Sequence, residues 1–298
     1  MRARSMIGET AGLGAALAFG MSTILARRFM VAVPPEAGAL VSIAMNVVVF
    51  SILAALAAWR GALPPVHAGS VALFIAGGLA GTLVGRNLSY MSVERLGPSL
   101  SSAVRLTNSV FTLAFGLVIL GELPRPWQTG GIVVVTVGLW LTLWAPAPAT
   151  GAGRSPASLS GLALAIISAA SFALGDTMRR LALVLTPAPV LGAAIGASSA
   201  LAAHLLWSTR RHSARWPAAS LGRADLLGSA VCNTAALLLL YVGLSRAPAA
   251  TVAALYNLQA LVVIMASPLV LPGQERITPG LVLGTLLALA GTVMILWG

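Results

Sequence analysis

The sequence predicts an all-α membrane protein: ten transmembrane helices arranged as two inverted five-helix repeats. Three observations carry that prediction. The chain is too apolar for a water-facing surface, its apolar runs are long enough to cross a bilayer, and its two halves match each other. Of 298 residues, 58% are hydrophobic and only 8% are charged, with a mean hydropathy of +0.94. A soluble domain carries about 25% charged residues. So few charges cannot coat a 30.2 kDa chain with a wettable surface, whereas a lipid-facing surface needs none.

A helix needs about 20 mainly apolar residues to cross a bilayer. Such runs fall near 7–26, 37–59, 68–92, 98–120, 127–145, 159–178, 188–207, 225–245, 248–271 and 279–297. Pro, Gly and charge punctuate the gaps, as in Pro34-Pro35-Glu36, Arg60 to Pro65, Glu94 to Pro98, Glu122 to Pro126 and Arg246 to Pro248. Backbone polar groups in lipid must bond within their own segment, so the runs are read as helices. Strands are excluded because the runs are too long and do not alternate. The Arg-bearing start (Arg2, Arg4) leads into the first run, which is read as a retained helix and not a cleaved signal.

The segment 145–158, APAPATGAGRSPAS, is rich in Pro, Gly, Ala and Ser. It divides the chain into a first five-helix repeat (1–147), a linker (148–158) and a second five-helix repeat (159–298). LARRF (25–29) falls opposite MRRLA (178–182), and LSYMSVERLGPS (88–99) lies over LLYVGLSRAPAA (239–250). The second match sets Tyr90 over Tyr241 and Arg95 over Arg246. With a two-residue shift, Glu122 lies over Glu275, Gly131 over Gly284, Gly138 over Gly291 and Trp144 over Trp297. An odd number of spans in each half inverts one repeat relative to the other. That is the architecture of secondary transporters, whose substrate site lies near the midplane between repeats.

The stretch 101–141, SSAVRLTNSVFTLAFGLVILGELPRPWQTGGIVVVTVGLWL, carries Gly121-Glu122 at the end of the fourth run. Gln128, Gly130-Gly131 and Gly138 follow in the fifth. Gly273, Glu275, Gly284 and Gly291 form a looser second copy. In this pattern the chain resembles the EamA-type ten-helix exporters of the drug/metabolite transporter superfamily. The resemblance covers nearly the whole chain. It departs from the family at mid-helix 4 and 9, where a Pro is common and this chain has Ser109-Val110 and Ala260-Leu261. It implies gradient-driven export of amino acids, metabolites or drugs from the bacterial cytoplasmic (inner) membrane, with both termini cytoplasmic. It also implies a cavity lined by helices 1, 3, 4, 6, 8 and 9, with helices 5 and 10 peripheral. The positive-inside rule runs against that orientation. Arg2, Arg4, Arg60, Arg125, Arg179, Arg180 and Arg246 would face in, against nine other arginines facing out.

Ionisable groups inside a span cost about 2.5–3.5 kcal/mol on insertion scales and mark functional sites by default. Arg86 and Arg105 are two such groups. They lie at similar distances on either side of the turn near Leu96, which places both roughly 12–15 Å inside that hairpin end at 1.5 Å per residue. Arg suits planar, bidentate contact with carboxylate or phosphate, so the pair is a candidate anion clamp, with Asn108 beside it. The alternative is a structural role, through helix-end carbonyls or pairing with Glu94, Asp176 or Glu9. At matching depth in the second half stand Asn233, Tyr256, Asn257 and Gln259, with Tyr256 opposite Arg105 and Gln259 opposite Asn108. These are candidate substrate-binding residues, or interhelical hydrogen-bonding residues worth about 0.6 kcal/mol each. Asp176 and Glu9 are candidates for proton coupling. Asp176 also has ion-pair spacing to Arg179 and Arg180. The glycines Gly77, Gly81 and Gly85 make a close-approach stripe.

All 18 basic residues are Arg. They are scattered one to three per gap and not gathered on one face, so no nucleic-acid partner is expected. A chain without Lys cannot form a Gly-Lys-Ser/Thr phosphate loop. One Cys and three scattered His predict no disulfide, metal or cofactor. The expected partners are the bilayer, a small-molecule substrate and a proton or counter-ion, in a monomer or homodimer. The leading reading is a secondary-active exporter of an amino acid or organic anion. A proton-coupled multidrug or cation exporter is the alternative. A lipid-modifying enzyme would need clustered His, Asp or Glu at an interface, and the sequence has none.

Overall fold

The computed structural model describes residues 2–120, 126–144, 156–211, 222–247, 249–272 and 277–297. Among these residues all regular structure is helical. The rods are α1 (Arg2–Phe29), α2 (Pro35–Trp59), α3 (Ala68–Leu96), α4 (Pro98–Val104, Arg105–Thr107 and Asn108–Leu120) and α5 (Pro126–Trp144). The second half forms α6 (Pro156–Leu185), α7 (Pro189–Arg211), α8 (Ala224–Arg246), α9 (Ala249–Asn257 and Gln259–Val270) and α10 (Pro279–Trp297). Eight of the rods are long and apolar enough to cross a membrane. Within α5 and α10 the qualifying apolar stretches are shorter, Thr129–Thr142 and Pro279–Met294. The expected linker lies mostly outside the described residues, as do Gly121, Glu122, Gly273 and Glu275.

The sequence sets the rod ends in recognisable ways. Pro opens α2, α4, α5, α6, α7 and α10, where its missing N–H is not needed and its fixed φ suits a first turn. Between α3 and α4 the chain reverses on Gly97 alone, at φ +82°, a region that costs a residue with a Cβ dearly. Three interiors are irregular. In α3, Gly78–Gly85 is a π-helical stretch. In α4, Arg105–Thr107 is a 3₁₀ turn. In α9, Leu258 interrupts the rod and its N–H reaches back to the Leu255 carbonyl at 3.2 Å. Such mid-helix departures concentrate at functional sites. Neither α4 nor α9 carries Pro at its break, yet both rods break at corresponding places, since Thr107 falls opposite Leu258 in the Tyr90–Tyr241 register.

Burial runs opposite to that of a soluble protein. Leu269 is 83% exposed and Val118 79%, while Arg179 and Asp176 are each 1% exposed. An apolar exterior over a polar, ionic interior is a surface built for lipid.

The packing follows a pseudo-twofold exchange of halves. Helix α1 packs mainly on α8 and α9, and α6 mainly on α3 and α4. The α2–α7 and α5–α10 pairs map onto themselves. The last pair shows it in detail. A Cβ on Gly284 would lie 2.6 Å from the Gly138 carbonyl, and one on Gly291 would lie 2.7 Å from the Gly131 carbonyl. With Gly131 matched to Gly284 and Gly138 to Gly291, exchange of halves turns the first contact into the second. The domain-swapped placement of α1 and α6 leaves two bundles facing each other, one of α3, α4 and α6, the other of α1, α8 and α9.

Candidate functional site

Between the two bundles lies a cavity lined only by α1, α3, α4, α6, α8 and α9. Its free space is about 480 Å³ measured out to the open side, of which water centres reach about 30 Å³. A single water needs roughly 10–15 Å³ by that measure, so the space as it stands admits a few waters. A metabolite enters only when the walls part.

Arg86, the first residue after the π-helical stretch, donates from Nη1 to Ser42 Oγ of α2 at 2.7 Å. Arg105, at the 3₁₀ turn, donates to Ser89 Oγ at 2.8 Å and to Gln259 Oε1 at 3.2 Å. Its guanidinium carbon lies 6.0 Å from the centre of the Phe172 ring. Both side chains line the cavity and both are buried. Their ionisable neighbours are tyrosines and other arginines, with no carboxylate among them. Each also keeps a buried Nε without a hydrogen-bond partner.

A third guanidinium completes the set. Helix α6 runs on to Leu185, beyond the end near 178 read from the sequence. Arg179 is therefore an interior residue and not the cytoplasmic loop charge counted above. It holds Asp176 Oδ1 at 2.7 Å and donates to the Gly77 carbonyl at 3.0 Å and Thr82 Oγ1 at 2.9 Å. This explains the glycine stripe on α3. A Cβ at Gly81 would lie 2.6 Å from Arg179 Nη2, and one at Gly85 would press on the Phe172 ring. The missing side chains of Gly77 and Gly81 thus make room for a buried guanidinium. Arg180 turns away, donating to the Leu244 carbonyl at 2.7 Å.

The opposite bundle contributes neutral groups. Tyr256 donates to Asp176 Oδ2 at 2.7 Å, with Asn108 Oδ1 at 3.1 Å. Asn257 donates to Ser109 Oγ at 2.8 Å. Under exchange of halves Arg105 becomes Tyr256 and Gln259 becomes Asn108. The Arg105–Gln259 and Tyr256–Asn108 contacts are therefore twofold mates, as are the Phe172–Arg105 and Phe19–Tyr256 ring contacts.

Of the residues singled out by sequence, Arg86, Arg105, Asn108, Asp176, Tyr256, Asn257 and Gln259 line this cavity. Two lie elsewhere. Asn233 is buried on α8 with its Nδ2 unpartnered, next to Thr234, which bonds Asn46 of α2. Glu9 sits half-buried near the start of α1. Sequence reasoning missed Arg179, Thr82, Phe19 and Phe172. The Asp176–Arg179 spacing was a signal for the first, whereas a Phe in an apolar run carries none.

Against known proteins, the model of the EamA-like transporter family matches twice, over residues 6–144 and 159–297. The chain belongs to the EamA-like transporter family. It is an integral multi-pass membrane protein of drug/metabolite transporter type. No curated protein matches its sequence. A solved structure described only as the crystal structure of a protein shares the fold, with a TM-score of 0.65 at 20% identity. The match covers 98% of this chain and 95% of that one. The cavity helices are those expected of an EamA-type chain.

Proposed function

We propose that the protein is a secondary-active exporter of a small anionic metabolite, an amino acid or organic anion, working by alternating access. All ten rods cross the bacterial inner membrane as two inverted five-helix repeats joined by 148–158, with both termini cytoplasmic. The observation that carries the reading is a narrow cavity, lined by buried side chains, that holds three guanidiniums and a single carboxylate. Buried charge without a partner is costly, and a bound anion offsets that cost. Arg86 and Arg105 clamp the anion, Phe172 and Tyr256 flank it, and Asn108 and Gln259 orient it. The bundles rock against each other by exchanging the cross-bundle hydrogen bonds of Arg105, Tyr256 and Asn257.

A multidrug or cation exporter would need a carboxylate able to receive a cation. Asp176 has one oxygen held by Arg179 and the other by Tyr256, which favours the anion reading. Asp176 is then the candidate proton-coupling group, released from Arg179 when it is protonated.

Reconstituted proteoliposomes test the proposal. Arg105→Ala should cut anion efflux by about 100-fold or more, in line with loss of a buried charge contact, while membrane insertion and yield stay normal. Wild-type efflux by a well-inserted Arg105→Ala protein would overturn it.

A further inference from the structure

The charge balance of the cavity goes further than its sign. Three guanidiniums and one carboxylate leave two positive charges uncompensated, and Arg86 and Arg105 are the two without a carboxylate neighbour. The hydrogen-bond inventory points the same way. The unpartnered buried atoms of the site are all donors: Nε of Arg86, Arg105 and Arg179. The site's carboxylate is already engaged, and among the cavity's side-chain amide oxygens Asn257 Oδ1 alone accepts no hydrogen bond. Asp176 receives Arg179 and Tyr256, Gln259 receives Arg105, and Asn108 Oδ1 shares the single Tyr256 hydroxyl proton with Asp176 at the longer distance of 3.1 Å. An ammonium group would find no unshared carboxylate there. A zwitterion would leave both surplus charges in place, and a monoanion would leave one.

We propose that the site takes an organic dianion, whose doubly charged, oxygen-rich head sits between Arg86 and Arg105 and whose apolar body lies against Phe19, Leu237 and Leu240. This rests on the anion reading above and narrows it. The head is a phosphate monoester or a dicarboxylate, because both present two negative charges to paired planar guanidiniums. The body faces the other bundle, where Leu237 stands at the position matched to Arg86 and Leu240 at the position matched to Ser89.

The test is binding by the purified full-length protein in nanodiscs at pH 8, using anionic and zwitterionic ligands with one phenyl body and different heads, and a bulkier lipophilic cation. Phenyl phosphate and benzylsuccinate are the dianions. Methyl phenyl phosphate and 3-phenylpropionate are matched monoanions, phenylalanine is the zwitterion and tetraphenylphosphonium is the lipophilic cation. At least one dianion should bind about tenfold or more tighter than its matched monoanion and than phenylalanine, as expected for one added charge-assisted contact. The tighter of the two dianions assigns the head as phosphate or dicarboxylate. Arg86→Gln and Arg105→Gln should each bring the dianion-to-monoanion ratio close to one, and Arg86→Lys should restore part of it. Lowering the pH through the second phosphate ionisation, near pH 6, should weaken phenyl phosphate and leave methyl phenyl phosphate unchanged.

Monoanions or phenylalanine binding as tightly as the dianions would overturn the assignment. If that binding is lost in Arg105→Gln, the anion-exporter reading survives. Binding of tetraphenylphosphonium alone would overturn both. Failure of both dianions to bind at millimolar concentration would overturn the dianion assignment.

Discussion

The two bundles that face each other across the cavity share one backbone plan and differ in chemistry. In the Tyr90–Tyr241 register Arg86 answers to Leu237 and Arg105 to Tyr256. In the LARRF–MRRLA register Asp176 answers to Thr23 and Arg179 to Ala26. All four cavity charges therefore sit on the bundle of α3, α4 and α6, and every matched position on α1, α8 and α9 is neutral. The backbone follows suit: α3 carries a π-helical stretch, while α8 is regular from Ala224 to Arg246. The repeat supplies two facing walls on one backbone plan, and their divergence put the electrostatics on one of them. On the anion proposal the ligand's head would travel with the charged wall, the neutral wall would pack on its body, and the two walls meet through the hydrogen bonds of Arg105, Tyr256 and Asn257.

The sharpest way to break this comparison is to make the charged wall copy the neutral one. Arg179→Ala reproduces Ala26 but strands Asp176 in the interior. Removing one partner of a buried pair costs about 3–5 kcal/mol, which should appear as a large drop in melting temperature in detergent. The double variant Asp176→Thr/Arg179→Ala copies the Thr23–Ala26 pair. It should regain part of that loss, because no charge is left stranded, while the cavity left by the smaller side chains keeps it below the parent. A double variant no more stable than the single one would show that the pair holds the bundle together by more than mutual compensation.

A smaller effect is expected from Tyr256→Phe on the neutral wall. The change keeps the ring against Phe19 and removes the hydroxyl that reaches Asp176 and Asn108. A hydrogen bond to a charged group is worth about 1.5–3 kcal/mol. Arg179 still satisfies Asp176, so the stability loss should fall at the low end of that range. Because the bond spans the two bundles, the rate of transport should change more than the apparent affinity. An altered KM at constant turnover, measured in proteoliposomes, would place Tyr256 in ligand binding alone.

The eight longest spans were legible because lipid imposes a single rule on every segment, and Arg86 and Arg105 were legible because that rule makes a charge in mid-span conspicuous. Exact depth was harder to read. Counting residues from a turn gives depth along a helix axis only coarsely, which explains Asn233. It shares a helix face with Leu237, four residues on, but stands one turn (about 6 Å) further along α8, outside the cavity lining. Arg179 was obscured by the apolar pattern itself. MRRLALVL resumes hydrophobicity after two arginines, and a run that is interrupted looks like a run that ends. The breaks in α4 and α9 have no Pro to announce them. Their local signature is a cluster of polar side chains, Arg105, Thr107 and Asn108 in one rod and Asn257 and Gln259 in the other, that can bond the backbone or one another across the gap.

The finest test compares two glycines matched by the repeat, Gly77 on α3 and Gly228 on α8. Replacing a mid-helix Gly by Ala gains about 0.5–1 kcal/mol of backbone entropy where space allows. At Gly228 a Cβ would meet only the tip of the Leu25 side chain at 3.2 Å, so Gly228→Ala should be neutral or slightly stabilising. At Gly77 the new Cβ would lie 2.9 Å from Arg179 Cγ and 3.0 Å from the Gly175 carbonyl. The carbonyl belongs to a packed backbone, and the Arg179 stem is fixed at its far end by Asp176 and Thr82, so neither neighbour can yield cheaply. Overpacking of this kind costs about 1–3 kcal/mol, more than the entropy gain. The two substitutions should therefore move the melting temperature in opposite directions, or by clearly different amounts. Equal shifts would mean that the close approach of α3 to α6 is ordinary small-residue packing, not a space kept open for the third guanidinium.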